Sequence, residues 1–121
     1  SPDGGASFQL PRIVGTKKAM EIALLGDRFD ARMAQGLGMV NFVAEAGALE
    51  DETKELATRL ANGPTNVYGN TKKLLNQSLD NEFEAQLQME AEMFADCASK
   101  PNFKEGVTAF IEKRKARFKA E

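Results

Sequence analysis

The chain has 121 residues, of which 42% are hydrophobic and 28% charged, with a formal net charge of −2 and a pI near 5.3. This length suits one soluble domain, and the acidic balance makes general attraction to nucleic acid or to an anionic membrane surface unfavourable. The longest apolar run is four residues (Ile22 to Leu25), which predicts no membrane span. The lack of histidine excludes a Ser-His-Asp or Cys-His triad and, with only one cysteine, argues against a zinc site. The single Cys97 also excludes an internal disulfide and fits a cytoplasmic protein.

Glycines and capping residues divide the first third of the chain into short helices. A helix is expected over about 4–14, because Gly15 stands where a left-handed residue commonly ends a helix. Thr16 is expected to cap the next helix, TKKAMEIALL, which ends at Gly26. Asp30 is expected to cap one further turn, ARMAQ.

The stretch GLGMVNFVA at 36–44 alternates in polarity and contains two glycines. This pattern predicts an extended connector or an edge strand that needs a partner. Residues 20–45 are also more apolar than a peripheral helix and connector require. We therefore expect this part of the chain to pack against a neighbouring surface.

Apolar residues at helical spacing predict four further helices from residue 47 onward. Gly63 and Pro64 separate the first two, Asp80 is expected to cap the third, and Pro101 is expected to begin the fourth. The fold class is therefore predicted to be mainly α. The expected apolar stripes contain Leu49, Leu56, Leu60 and Ala61; Val67, Thr71, Leu74, Leu75 and Leu79; Phe83, Leu87, Ala91, Phe94 and Ala98; and Phe103, Val107, Phe110, Ile111 and Phe118.

The run EKRKARFKAE at 112–121 has five basic residues among ten and allows two interpretations. It can be the solvated end of the last helix, where cations complement the helix dipole. Alternatively it contains a phosphate site, with Phe110 and Lys113 one turn apart on the same helical face. In that case the ring stacks on a nucleotide base and the ammonium meets a phosphate.

Asp3 is a second candidate functional residue, and it also has two interpretations. It can cap the following helix, or it can be a catalytic carboxylate beside Gly4 and Gly5, which let a ligand approach the backbone. A lone carboxylate makes no mechanism without further groups. Glu90 and Cys97 are interpreted as structural.

Four stretches resemble, in order and spacing, the C-terminal half of the crotonase (enoyl-CoA hydratase/isomerase) superfamily. They are PDGGASFQLPRIVG at 2–15, AMEIALLGDRFDA at 19–31, AQGLGMVN at 34–41 and KEGVTAFIEKRKARF at 104–118. The resemblance covers essentially the whole chain.

The resemblance implies a spiral of ββα turns that is closed by a C-terminal helical region. Residues 1–60 would be the end of the spiral core, with helices and one short strand, and residues 61–121 would be the helical oligomerisation region. The implied partners are the N-terminal half of the same protein and further copies of it, in a homotrimer or a hexamer.

The resemblance also implies binding of acyl-CoA thioesters and stabilisation of an enolate by two backbone N–H groups. Those donors, and two glutamates that hydratases use, belong to family segments upstream of Ser1, so the chain alone is expected to be inactive. Asp3 matches a position that carries a catalytic aspartate in some members, such as dienoyl-CoA isomerases. Phe110 and Lys113 match positions that contact the adenine and phosphate end of CoA, often from a neighbouring subunit. CoA is part of the substrate, so no separate cofactor and no metal are implied.

The sequence thus predicts the C-terminal part of an enzyme that hydrates enoyl-CoA or shifts its double bond. The alternative is a non-catalytic helical oligomerisation module. A small helical binding domain is the weakest reading, because it leaves the GMVNFV stretch and the glycine pattern unexplained.

Overall fold

The computed structural model describes residues 1–119, and this part of the chain contains helices and no β-strand. The mainly α prediction is therefore confirmed. The helices are α1 (Ala6–Val14), α2 (Thr16–Leu25), α3 (Ala31–Gly36), α4 (Leu49–Ala61), α5 (Thr65–Gln77), α6 (Phe83–Ala98) and α7 (Pro101–Ile111).

Two predicted helix starts are confirmed. The Asp30 side chain caps α3 by accepting a hydrogen bond from the Met33 N–H at 2.8 Å. Pro101 is the first residue of α7, where its fixed φ suits the helix and its missing N–H removes no hydrogen bond.

Two predicted caps are wrong. Gly15 is the N-cap of α2, and Thr16 is already its first helical residue. Glu82 precedes α6 without a side-chain cap. Asp80 does not cap α6, because the helix begins three residues later, at Phe83. Asp80 lies instead in the turn that follows α5, where its N–H donates to the Gln77 carbonyl at 3.0 Å.

The short strand expected near residues 36–44 does not form within residues 1–119. A strand needs a neighbour to take its backbone hydrogen bonds, and the described chain offers none. The connector is held instead by side chains: Gln35 Nε2 donates to the Asn41 carbonyl at 3.1 Å, and Arg32 pairs with Glu45 at 2.7 Å.

The chain consists of two compact units, an N-terminal unit (Ser1–Leu49) and a C-terminal unit that starts at Glu50. In the N-terminal unit α1 packs on α2, and Ala19 is buried. In the C-terminal unit α5 packs on α6 and α6 on α7. The Phe94 and Phe103 rings meet edge to face, with centroids 6.0 Å apart.

Apolar faces of these helices are largely exposed. Among the described residues Ala19 and Ala109 are the buried apolar side chains. On α6 the predicted stripe faces outward, with Phe94 65% exposed, whereas Gln86 and Cys97 lie on the less exposed face. The predicted stripes therefore do not form a core within this chain. None of the helices in residues 1–119 combines the length and apolar character required to cross a bilayer.

Candidate functional site

Asp3 lies in an exposed turn before α1, and its carboxylate does not cap that helix. Gly5, at φ 85°, occupies the N-cap position, and Gly4 has φ 56°, so two left-handed residues separate Asp3 from the helix. The Asp3 carbonyl accepts a hydrogen bond from the Ala6 N–H at 2.9 Å. The capping interpretation is therefore wrong, because the backbone of Asp3 closes this turn and its carboxylate faces solvent.

An apolar groove of about 580 Å³ lies between α1 and α2, next to this turn. Ser1 and Pro2 line one part of it, and the helices contribute apolar side chains such as Leu10, Met20 and Ile22. The exposed carboxylate of Asp3 follows Pro2 directly in the chain. Asp3 is therefore adjacent in sequence to residues that line the groove, but it does not line the groove itself.

The end of α7 differs from the continuous helix predicted for the C-terminus. The helix ends at Ile111, and Lys113 adopts a left-handed conformation at φ 54°. The Lys113 N–H donates to the Phe110 carbonyl at 3.2 Å, and the Arg114 N–H donates to the Ala109 carbonyl at 3.0 Å. These two bonds form a Schellman motif, which usually has glycine at the left-handed position.

The prediction that Phe110 and Lys113 share one face of a continuous helix is therefore wrong. The helix ends at Ile111 and the chain reverses direction at Lys113. The two residues are joined instead by the backbone hydrogen bond of the Schellman motif. The Phe110 ring is 86% exposed. The Lys113 ammonium has no hydrogen bond or ion pair with another residue in the range 1–119. Among residues 1–119, the end of α7 therefore carries an exposed ring and a cation without a hydrogen bond or ion pair.

Residues 112–119, here called the return segment, fold back along α7 and are held there by Glu105. The Arg114 guanidinium donates from Nη1 to Glu105 Oε1 at 2.7 Å and from Nη2 to Oε2 at 3.0 Å. Glu105 Oε1 also accepts the Arg117 N–H at 2.7 Å, and Arg114 Nε reaches Glu112 at 2.6 Å. One carboxylate thus joins a side chain and a backbone group of the return segment to α7.

These contacts set the electrostatics of the pair. The hydrogen bonds from the Arg114 side chain, followed by that from the Arg117 backbone, lower the pKa of Glu105 to about 2. The same bonds to Glu105, and then the one to Glu112, raise the pKa of Arg114 above its usual value. Both groups are therefore charged at neutral pH.

Asn102 and Phe118 hold the far end of the return segment. Asn102 is 4% exposed; its Nδ2 donates to the Lys119 carbonyl at 2.8 Å, and its Oδ1 accepts the Lys119 N–H at 2.9 Å. The Phe118 ring lies against Gly106, where an added Cβ would be 3.6 Å from the ring. Ala120 and Glu121, which end the basic run, lie outside the described residues.

Sequence reasoning missed Asn102 and Glu105. The available signal was an acid on the last helix followed nine residues later by Arg114 in a basic run. Helical periodicity cannot join these positions, because the contact depends on the chain reversal at Lys113.

The other two residues singled out from the sequence lie on α6. Glu90 is exposed, and Cys97 is partly buried, where its Sγ accepts a hydrogen bond from Asn70 Nδ2 at 3.3 Å. Hydrogen bonds from Lys100 and then Asn70 lower the pKa of the neighbouring Asp96. Within residues 1–119 no three His, Cys, Asp or Glu side chains are grouped closely enough to hold a metal ion.

Comparison with known proteins gives consistent results. The family model for enoyl-CoA hydratase/isomerase matches residues 1–121. The 1,2-epoxyphenylacetyl-CoA isomerase of Escherichia coli K12 is 35% identical over 97% of this chain and 45% of its own length. The crotonyl-CoA hydratase of Syntrophomonas wolfei is 32% identical over 98% of this chain and 45% of its own length.

Solved structures agree with these relatives. An enoyl-CoA hydratase from Polaromonas sp. JS666 superimposes with a TM-score of 0.91 at 34% identity, covering 98% of this chain and 46% of that one. An enoyl-CoA hydratase/isomerase from Cupriavidus metallidurans CH34 also has a TM-score of 0.91, at 31% identity, over 100% of this chain and 47% of that one. The chain spans about half the length of the curated relatives it matches. It belongs to the enoyl-CoA hydratase/isomerase family.

Proposed function

We propose that this chain is the C-terminal part of an enzyme that binds acyl-CoA thioesters and either hydrates enoyl-CoA or shifts its double bond. The reaction would pass through a thioester enolate held in an oxyanion hole. Membership of the family supports this chemistry. The observation that carries the proposal for this chain's own residues is the exposed Phe110 ring together with a Lys113 ammonium that is unpaired within the described range 1–119.

Phe110 and Lys113 have the chemistry needed for the nucleotide end of CoA. An 86% exposed ring offers a face on which adenine can stack, and an ammonium that has no ion pair among residues 1–119 is available to a phosphate oxygen. The Schellman motif fixes their spacing through the Lys113 N–H bond to the Phe110 carbonyl.

The conformation of Lys113 supports a role beyond the fold. A left-handed conformation costs an L-residue roughly 1–2 kcal/mol, and glycine would adopt it without that cost. Strained residues of this kind concentrate at binding and catalytic sites. A lysine at this position therefore favours a function for its ammonium.

Asp3 is proposed as a proton-transfer acid for double-bond isomerisation. Its carboxylate is exposed and does not serve as a cap, and Asp3 directly follows Ser1 and Pro2, which line the apolar groove between α1 and α2. An apolar groove suits the hydrocarbon part of an acyl thioester. The oxyanion-hole donors and the hydratase glutamates are proposed to lie outside these 121 residues, so that the chain alone has no activity.

The partners and compartment are proposed from the same features. The exposed apolar faces of α2, α4, α5 and α6 are suited to packing against the N-terminal half of the protein and against further copies, in a homotrimer or hexamer. They equally favour the second candidate function, a helical oligomerisation module without catalysis. CoA enters as part of the substrate, with no separate cofactor, and a cytoplasmic location is proposed.

Replacing Lys113 by alanine in the natural protein that carries this chain tests the proposed function. Calorimetric titration with butyryl-CoA and with butyryl-pantetheine separates the nucleotide end of the ligand from the thioester end. We expect Lys113→Ala to weaken butyryl-CoA binding about tenfold and to leave butyryl-pantetheine binding unchanged. Lys73→Ala, which removes an exposed cation from α5, is the control and should change neither. Unchanged butyryl-CoA binding in Lys113→Ala contradicts the proposal.

A further inference from the structure

We propose that Glu105 is a positioning residue for nucleotide binding: by fixing the return segment on α7, it fixes the backbone of Lys113, from which the ammonium extends at the same helix end as Phe110. This inference rests on the proposed function of Phe110 and Lys113. It assigns a role to a carboxylate whose own negative charge rules out direct binding of an anionic phosphate.

Three hydrogen bonds from the return segment end on the Glu105 carboxylate. Glu105 accepts two bonds from the Arg114 guanidinium and one from the Arg117 N–H, at 2.7 to 3.0 Å. A fork of parallel N–H bonds fixes both distance and orientation, which a single contact does not. The charge-assisted geometry therefore determines where the return segment leaves the end of α7.

Arg114 connects the Glu105 carboxylate to Lys113. Arg114 follows Lys113 directly, and the Arg114 N–H closes the Schellman motif on the carbonyl of Ala109, which is 2% exposed. Arg114 is thus fixed at its backbone by α7 and at its guanidinium by Glu105. The left-handed backbone of Lys113 lies between Phe110 and this doubly held residue. The ammonium, which has no hydrogen bond or ion pair in residues 1–119, depends on the backbone on either side for its position.

The contacts of Glu105 and Glu112 also determine which of two neighbouring cations is neutralised. Glu105 and Glu112 both pair with Arg114, so the guanidinium is turned toward the protein and largely neutralised. The adjacent Lys113 ammonium is left available for a phosphate. Glu105 therefore separates two neighbouring cations into one that holds the fold and one that binds the ligand.

The test is a double-mutant cycle in the natural protein with Glu105→Gln, Lys113→Ala and the combination. Dissociation constants are measured for butyryl-CoA and butyryl-pantetheine, together with kcat and KM for crotonyl-CoA. Glu105→Gln should weaken butyryl-CoA binding about fourfold, raise KM and leave kcat and butyryl-pantetheine binding unchanged. In the Lys113→Ala background the same change should have no further effect, because the two residues act through one ammonium.

Arg114→Lys is the second variant, since it keeps the charge but cannot form the fork, and it should match Glu105→Gln. Glu90→Gln, an exposed acid on α6, is the control that should change nothing. Equal weakening of both ligands by Glu105→Gln, or a full effect in the Lys113→Ala background, overturns the positioning role. If Lys113→Ala weakens butyryl-CoA binding and Glu105→Gln does not, the inference alone fails. If Lys113→Ala has no effect, the proposed function of Lys113 fails and this inference with it.

Discussion

Replacing Lys113 by glycine should raise stability while lowering affinity for CoA, since the residue stands at a left-handed position with φ 54°. The comparison is with Lys113→Ala, which removes the same charge but keeps Cβ. The left-handed conformation costs an L-residue roughly 1–2 kcal/mol, and the greater freedom of an unfolded glycine offsets about 0.5–1 kcal/mol of that. We therefore expect Lys113→Gly to be more stable than Lys113→Ala by about 1 kcal/mol.

The assay is reversible urea unfolding of the natural protein, read as the midpoint at an unchanged slope, with butyryl-CoA titration beside it. Both variants should lose about the same butyryl-CoA affinity, because both lack the ammonium. Equal stability of the two variants would mean that the backbone at 113 is not strained. Normal affinity in Lys113→Gly would mean that the strained lysine has no binding role. Either result refutes the reasoning.

Three further predictions concern other parts of the chain. The pKa of Glu105 is lowered to about 2 from 4.5, so the stability contributed by its bonds to Arg114 should be complete above about pH 4.5 and be lost as the pH falls toward 2. Urea unfolding of parent and Glu105→Gln across this range should show a constant difference from pH 7 to 5 that shrinks below 4.5, and a difference that grows on acidification contradicts this. Gly63→Ala should destabilise the protein by about 1–3 kcal/mol, because the added Cβ overlaps the Tyr68 ring. Measured by thermal unfolding, the double variant with Tyr68→Ala should lose less stability than the sum of the two single variants. Additive losses in the double variant would refute the overlap. Asp3→Asn should abolish double-bond isomerisation and spare hydration in the natural protein, as followed with the two enoyl-CoA assays, whereas parental rates for both reactions would exclude a role for Asp3.

Local signals predicted much of the helical architecture. Asp30 and Pro101 begin helices as expected, since capping and a fixed φ act through neighbouring residues only. Asp80 failed as a cap because the turn after α5 extends past it and α6 begins only at Phe83, after Glu82. The expected strand failed because pairing depends on a partner that residues 1–119 do not provide.

Local signals could not predict which helix faces are exposed or that the chain reverses direction after α7. The Phe83, Leu87 and Phe94 stripe of α6 is exposed, since helical periodicity does not tell which neighbour covers a face. The end of α7 was missed because Lys113 stands where glycine usually marks the stop.

Only part of the candidate site could be predicted from the sequence. Phe110 and Lys113 followed from an aromatic ring beside a cation and from the family resemblance. Glu105 could not be found in this way, because its contacts with Arg114 and Arg117 exist only after the chain has turned back. Residues that position a site through a chain reversal leave little trace in local sequence patterns.

A crystal structure of the natural protein with butyryl-CoA measures the position of the nucleotide directly. We predict that adenine stacks on the Phe110 ring and that a phosphate oxygen lies about 2.7–2.9 Å from Lys113 Nζ, with the Glu105–Arg114 fork intact. A nucleotide bound away from both residues would contradict the proposed role of this chain in CoA binding.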